Sequence, residues 1–183
     1  MRTLEVRRHS IRKDGGGSQL SQAGVDLARS LGATMGPFAR VATSVVTRAR
    51  ETAIAMGFAV DYEIVTLISE EAMAAEFEDN QWWLTPQPFV ALARVVTAGG
   101  PTQLYANGIV ALWRDMMTSL PDNSAALVIG HSGQIEAALV AAFPKADHAS
   151  WGASFGHCEG ARLIFDGEPA RFNTLELLRT PAT

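Results

Sequence analysis

The run Leu127-Val128-Ile129-Gly130 constrains the fold of this chain more than any other feature. It is apolar without alternation, so a strand there is buried on both faces and needs helices above and below it. The flanking sequence supplies both. Short strand-like runs at 4–9, 41–44 and 62–67 alternate with helical periodicity at about 21–31, 48–56, 104–120 and 133–143. That alternation predicts an α/β fold, a three-layer α/β/α sandwich with a mostly parallel central sheet. The runs 161–165 and 171–178 read as a hairpin around Asp166-Gly167, giving the sheet an antiparallel edge. Asp14-Gly15-Gly16-Gly17-Ser18 reads as a loop, because consecutive glycines are costly in regular structure. Residues 70–104 lack a clear period and hold Glu70, Glu71, Glu76, Glu78 and Asp79, then Trp82-Trp83, Pro86 and Pro88. They are too few for an independent core. The expectation is one domain over 1–183, with 70–104 as a small insertion over the C-terminal edge of the sheet.

Two strand-like segments end in histidine. Leu4 to Arg8 leads into His9-Ser10, and the buried run leads into His131-Ser132-Gly133. Between them, Thr47-Arg48-Ala49 starts a helix with an arginine. In parallel sheets, ligands bind at the carboxyl ends of the strands, where these histidines fall. An imidazole nitrogen can attack phosphorus, and a guanidinium fork matches phosphate oxygens bidentately. Two imidazoles with Arg8 and Arg48 therefore point to capture of a phosphoryl group, with the amide of Ser132 a further donor. Arg7 and Arg50 sit one step and two steps along their elements and should point elsewhere, as salt-bridging or solvated side chains. Metal ligation by His9 and His131 competes poorly, since no third ligand has a matching motif and the arginines repel a cation. His148 and His157 read as surface or loop residues. Trp82, Trp83 and Trp113 read as core or lid packing, the first two with a place at a substrate entrance.

The chain resembles the histidine phosphatase superfamily, which includes phosphoglycerate mutases and acid phosphatases, in its small-insertion branch. The resemblance rests on Arg8-His9-Ser10, Leu20-Ser21-Gln22-Ala23-Gly24, Ser44 with Arg48-Ala49 and Thr52-Ala53, and Gly130-His131-Ser132-Gly133. These four short matches run in the family's order over about 4–140. Ser10 stands where the family has glycine and Ser21 where it has threonine; the second keeps a helix-capping hydroxyl. The resemblance implies a cofactor-independent, metal-free enzyme with His9 as nucleophile, Arg8 and Arg48 clamping the phosphate, and His131 donating to it. It also implies a proton donor shortly after the third strand, where Ile68-Ser69-Glu70 has the spacing, with Glu71, Glu76 and Glu78 as rivals. The implied activity is a phosphatase working through a phosphohistidine on a small phosphoester or a phosphorylated protein side chain. Mutase-type phosphoryl transfer and a non-catalytic phosphate-binding module remain alternatives, as does a phosphohistidine substrate, whose leaving group needs less help.

The formal net charge of −4 offers no global field for nucleic acid or an anionic membrane. The basic residues Arg2, Arg7, Arg8, Arg12, Lys13, Arg40, Arg48 and Arg50 all lie early in the chain. Cys158 is the single cysteine, which excludes an intramolecular disulfide and suits a reducing cytoplasm. The charged N-terminus does not read as a signal peptide, and no apolar run approaches the length of a membrane span.

Overall fold

A computed structural model describes residues 1–15, 17–67 and 70–180. The strands are β1 (Arg2–Arg8), β2 (Arg40–Ser44), β3 (Tyr62–Ile64), β4 (Ala125–Gly130), β5 (Gly160–Gly167) and β6 (Ala170–Leu178). The helices are α1 (Gln22–Gly32), α2 (Thr47–Ala55), α3 (Glu71–Asn80), α4 (Pro88–Thr97), α5 (Pro101–Thr118) and α6 (Gln134–Ala142). The strands form one sheet in the order β3-β2-β4-β1-β5-β6. β3, β2, β4 and β1 run parallel, and β5 and β6 add an antiparallel edge. This is the mostly parallel sandwich that the alternation of elements predicts.

The unbroken apolar run becomes central strand β4, and its alternate side chains serve two cores. Ala126 and Val128 join Met73, Phe89, Leu92, Ile109, Trp113 and Leu139, beneath α3, α4, α5 and α6. Leu127 and Ile129 face the other way and pack with Ala28, Val41, Ala49, Ala53 and Met56, beneath α1 and α2. Burying an apolar side chain contributes about 1.5–3 kcal/mol, so a strand feeding two cores is fixed in register.

Residues 70–104 differ from expectation in being largely helical. Met73 in α3, Trp82 in a short 3-10 turn, and Phe89, Leu92 and Val96 in α4 are buried in the larger cluster. Trp82 and Trp83 pack edge to face, and Trp82 lines a cavity with Glu76 and Arg94, away from His9 and His131. Trp113 is fully buried. The hairpin turns at Glu168-Pro169, just beyond the expected Asp166-Gly167, because Gly167 pairs with Ala170. The expected third strand ends at Ile64 and continues as a 3-10 turn through Leu67.

Local chemistry sets α1 firmly against the loop after β1. Ser21 caps the helix, its hydroxyl accepting from the Gly24 amide at 3.0 Å. The Ser21 amide donates to the Ile11 carbonyl at 3.0 Å, and a Cβ on Gly24 would lie 2.1 Å from that same oxygen. Gly24→Ala should therefore force the helix off this loop and cost about 1–3 kcal/mol, within the usual range for overpacking. Gly108, inside α5 with open space around it, provides the contrast. Gly108→Ala should stabilise by roughly 0.4–1 kcal/mol. Chemical denaturation of both variants checks the pair; equal and small effects would mean that α1 is not tightly seated.

Candidate active site

Adjacent parallel strands β1 and β4 bring the two histidine segments together. Arg8 pairs with Gly130, and the His9 amide donates to the Gly130 carbonyl at 2.9 Å. Arg48 enters from the first turn of α2, which follows β2 on the other side of β4. A cavity of about 270 Å³ results, lined by Arg8, His9, Arg12, Arg48, His131, Ser132 and His157. A larger groove of about 780 Å³ between α1 and α2 is lined mainly by Leu20, Val25, Ile54, Ala55 and Met56 and holds none of these groups.

The hydrogen bonds fix which nitrogen of each imidazole holds the proton. His9 Nδ1 lies 2.7 Å from the Ser10 carbonyl, which can only accept, so Nδ1 carries the hydrogen. Its Nε2 faces the cavity unprotonated, its lone pair accepting from Arg48 Nε at 2.9 Å. The same guanidinium reaches His131, with Nη2 3.2 Å from Nδ1, so His131 Nδ1 also accepts. His131 Nε2–H then donates to Ser44 Oγ at 2.9 Å. Arg48 thus bridges two neutral imidazoles whose ring centroids stand 5.2 Å apart.

Both rings titrate far below an ordinary histidine. Burial, then the charges of His131, Arg48 and Arg8, push His9 to about 3, against the opposing hydrogen bond to Ser10. Burial, Arg48 and Arg8 push His131 to about 4. Burial also lowers Arg8 and Arg48, which repel each other. Arg8 Nη1 donates to the Phe155 carbonyl at 2.6 Å, while its Nε is buried without a partner among the described residues. A cluster of cations and uncharged imidazoles with an unpaired guanidinium N–H is complementary to a small polyanion.

Two residues at this site carry no sequence motif. Glu136, completely buried, accepts from the Gly133 amide at 2.6 Å, the Phe155 amide at 3.0 Å and Ser132 Oγ at 3.0 Å. It ties the turn after His131 to the loop whose carbonyl holds Arg8. Burial raises its pKa, and the hydrogen bonds from Phe155, Gly133 and Ser132 hold it back. The other is His157, half-buried in the turn before β5, its ring 6.0 Å from that of His9. Cys158 N donates to the Arg8 carbonyl at 3.1 Å and Arg8 N to the Glu159 carbonyl at 2.8 Å, which stitches this turn to the end of β1.

Not every expected residue reaches the cavity. Glu70 lines a separate hollow with Thr66, Leu104, Tyr105, Gly108, Ile109 and Leu112, at the N-terminus of α3. Its expected spacing from Ile68 and Ser69 falls on residues outside those described. Glu76 accepts from the Thr102 amide at 2.8 Å and caps α5, while Glu71 and Glu78 are exposed. Arg7 points away from Arg8 as expected, but it is buried rather than solvated. Its Nε donates to Glu5 at 2.6 Å and Nη1 to the Cys158 carbonyl at 2.7 Å. Arg50 pairs with Glu63 at 3.6 Å on the surface. Ser10 turns its hydroxyl to the Gly24 carbonyl at 2.7 Å, away from the cavity. His148 packs on Trp151, with ring centroids 4.7 Å apart.

No family model and no curated protein matches the chain. Solved structures do match, over nearly the full length. A phosphoserine phosphatase from Entamoeba histolytica, in complex with 3-phosphoglyceric acid, aligns with TM-score 0.70 and 16% identity, covering 99% of this chain and 98% of that one. A mycobacterial glucosyl-3-phosphoglycerate phosphatase complexed with VO3 gives TM-score 0.68 and 17% identity, covering 98% and 99%. A phosphoglycerate mutase from Bacillus anthracis gives 0.65 and 17%, covering 96% and 92%. The chain therefore shares the fold of these phosphatases and this mutase.

Two outcomes follow from these contacts. His9 and His131 bind protons more weakly folded than unfolded, so stability is full above about pH 6.5 and falls as pH drops toward 4. His9→Gln should flatten that fall by up to about 1.4 kcal/mol per pH unit, measured by denaturation at pH 7, 6, 5 and 4; an unchanged slope would place the titration elsewhere. Glu136→Gln sets an amide NH2 against a backbone N–H or the Ser132 hydroxyl. It should cost about 1–3 kcal/mol of stability and weaken inorganic phosphate binding, read by thermal shift with and without phosphate.

Proposed function

We propose that this chain is a phosphatase that captures the phosphoryl group of a small phosphorylated metabolite on His9 Nε2 and releases it to water. The observation that supports it best is the unprotonated His9 Nε2, which faces a cavity walled by Arg8, Arg12, Arg48 and His131 among others and is hydrogen-bonded there by Arg48. Nδ1–H bound to Ser10 fixes the ring, so attack at phosphorus requires only that the Arg48 N–H pass from Nε2 to a phosphoryl oxygen. Arg8 and Arg48 hold equatorial phosphoryl oxygens. Those charges supply the electrostatic stabilisation that a divalent ion supplies in metal-dependent phosphatases, so turnover proceeds without added metal.

His131 enters when the substrate does. In the free protein its Nδ1 accepts from Arg48; a bound dianion draws that guanidinium and raises the proton affinity of both rings. Nδ1 then takes up a proton and donates to the phosphoryl oxygens as negative charge builds there. The cavity volume of about 270 Å³ suits a phosphoryl group with a small organic portion. Among the described residues no helix is long and apolar enough to cross a membrane. Cys158, free and buried, fits a reducing cytoplasm.

The test is covalent. Enzyme mixed with a 32P-labelled monoester and quenched in alkali should keep label on His9, since phosphohistidine survives base. His9→Ala should lose the label and at least about 10³-fold of the rate while binding phosphate, because removing a covalent nucleophile leaves only residual electrostatic catalysis. Near-normal turnover in His9→Ala would overturn the reading. Undiminished affinity without turnover in the wild type would point to a phosphate-binding module.

A further inference from the structure

Expelling an alkoxide from phosphorus requires a proton, and among the described residues no carboxylate lines the cavity to give one. Each lining group can be asked whether it has a proton to spare. The hydrogen on His9 Nδ1 is held by Ser10, and His9 Nε2 is the nucleophile. Of the two nitrogens of His131, Nε2–H is held by Ser44, and the proton that Nδ1 takes up with substrate is spent on the phosphoryl oxygens. Ser132 donates its hydroxyl proton to Glu136. The guanidiniums of Arg8, Arg12 and Arg48 do not give up protons near neutrality. Only His157 remains. Its ring lines the cavity 6.0 Å from that of His9, and nothing among the described residues hydrogen-bonds to its ring nitrogens.

We propose that His157 is the proton donor to the leaving group, and that the substrate is accordingly a phosphate monoester of an ordinary alcohol. The inference rests on the phosphatase reading above. The turn that presents His157 is anchored for such a role, through the Cys158 and Arg8 amides and a Glu159 carboxylate that accepts from the Gly156 amide at 2.8 Å. In the first step the lone pair on His9 Nε2 forms the N–P bond while the P–O bond to the alcohol breaks. The bonding pair passes to the leaving oxygen, which takes the proton of the His157 imidazolium and departs as neutral alcohol. In the second step, water attacks phosphorus and gives its proton to the now neutral His157. The P–N pair returns to His9, and inorganic phosphate leaves with both rings restored. Burial and Arg8 lower the proton affinity of His157 in the free protein. A phosphoryl dianion seated between the arginines and this ring offsets that repulsion, so the proton is held when substrate is present.

The experiment is a leaving-group series. Substituted phenyl phosphates from nitrophenyl to methoxyphenyl vary the basicity of the departing oxygen at nearly constant shape. The ratio kcat/KM reports only the steps through departure of the alcohol, so hydrolysis of the phosphoenzyme does not enter. For wild type, log(kcat/KM) should depend weakly on leaving-group basicity. For His157→Gln and His157→Asn, nitrophenyl phosphate should react within a few-fold of wild type, while the most basic leaving group should lose about 10²-fold. Parallel plots in wild type and both variants, whether displaced or superimposed, would overturn the proposal, since a binding or structural role gives the same loss for every leaving group. A wild type that turns over no member of the series would instead defeat the phosphatase reading itself.

Discussion

The parallel pairing of β1 with β4 is the constraint on which the rest depends. With Arg8 opposite Gly130 and His9 N–H on the Gly130 carbonyl, the chain leaves both strands at the same height. His9 and His131 are then the first side chains past the sheet. A slip of one residue would turn Arg8 to the face now held by Arg7, whose own site is a buried pair with Glu5. The two-sided packing of Leu127, Val128 and Ile129 prevents that slip. Core packing and the geometry of the candidate site are thus specified by the same six residues of β4.

The electrostatics of the site follow from what lies behind it. Arg8 and Arg48 are partly desolvated and repel each other, which is tolerable only because their counter-charges are distributed behind and beside them. Glu136 and Glu159 offset Arg8, yet both spend their oxygens on protein donors and point none into the cavity. The pocket floor therefore stays cationic while the surrounding fold is balanced. Gly133, at φ +85°, allows the turn that gives Glu136 its amide, and a Cβ there would lie 2.6 Å from the Phe77 ring of α3. Helix α3, which the sequence offers as part of an irregular insertion, thus braces the loop carrying His131.

Strand ends and motifs were readable because they are local. Gly130-His131-Ser132-Gly133 follows an apolar run that can only be a central strand, and Arg8-His9 ends the run beside it. Glu136 and His157 were not readable for the opposite reason. Glu136 sits on an otherwise apolar helix face, and its three donors come from two separate loops. His157 gains meaning only from antiparallel pairing of β5 with β1, a contact across about the whole length of the chain. Residues 71–80 form a helix whose single fully buried side chain is Met73, too thin a stripe to register as a period among so many acids. Glu70 shows the limit of spacing arguments: its distance along the chain suited a proton donor, but the backbone turns it toward Tyr105.

Ser10 shows how a departure from a motif can leave the site intact. The resemblance read from the sequence implies glycine here, and a side chain at this position must go somewhere without entering the cavity. Here its hydroxyl reaches the Gly24 carbonyl and its amide donates to Thr52 Oγ1 at 2.9 Å, so one residue links β1 to both α1 and α2. Thr52 in turn donates to the Arg48 carbonyl at 2.7 Å. The path from Ser10 through Thr52 to Arg48 joins the loop of His9 to the helix that carries the bridging guanidinium. Fixing Ser10 also fixes its carbonyl, the acceptor that keeps the hydrogen on His9 Nδ1. The added hydroxyl therefore strengthens the support of His9 rather than crowding it, and the tautomer of that ring is set by the backbone of the very residue that departs from the pattern.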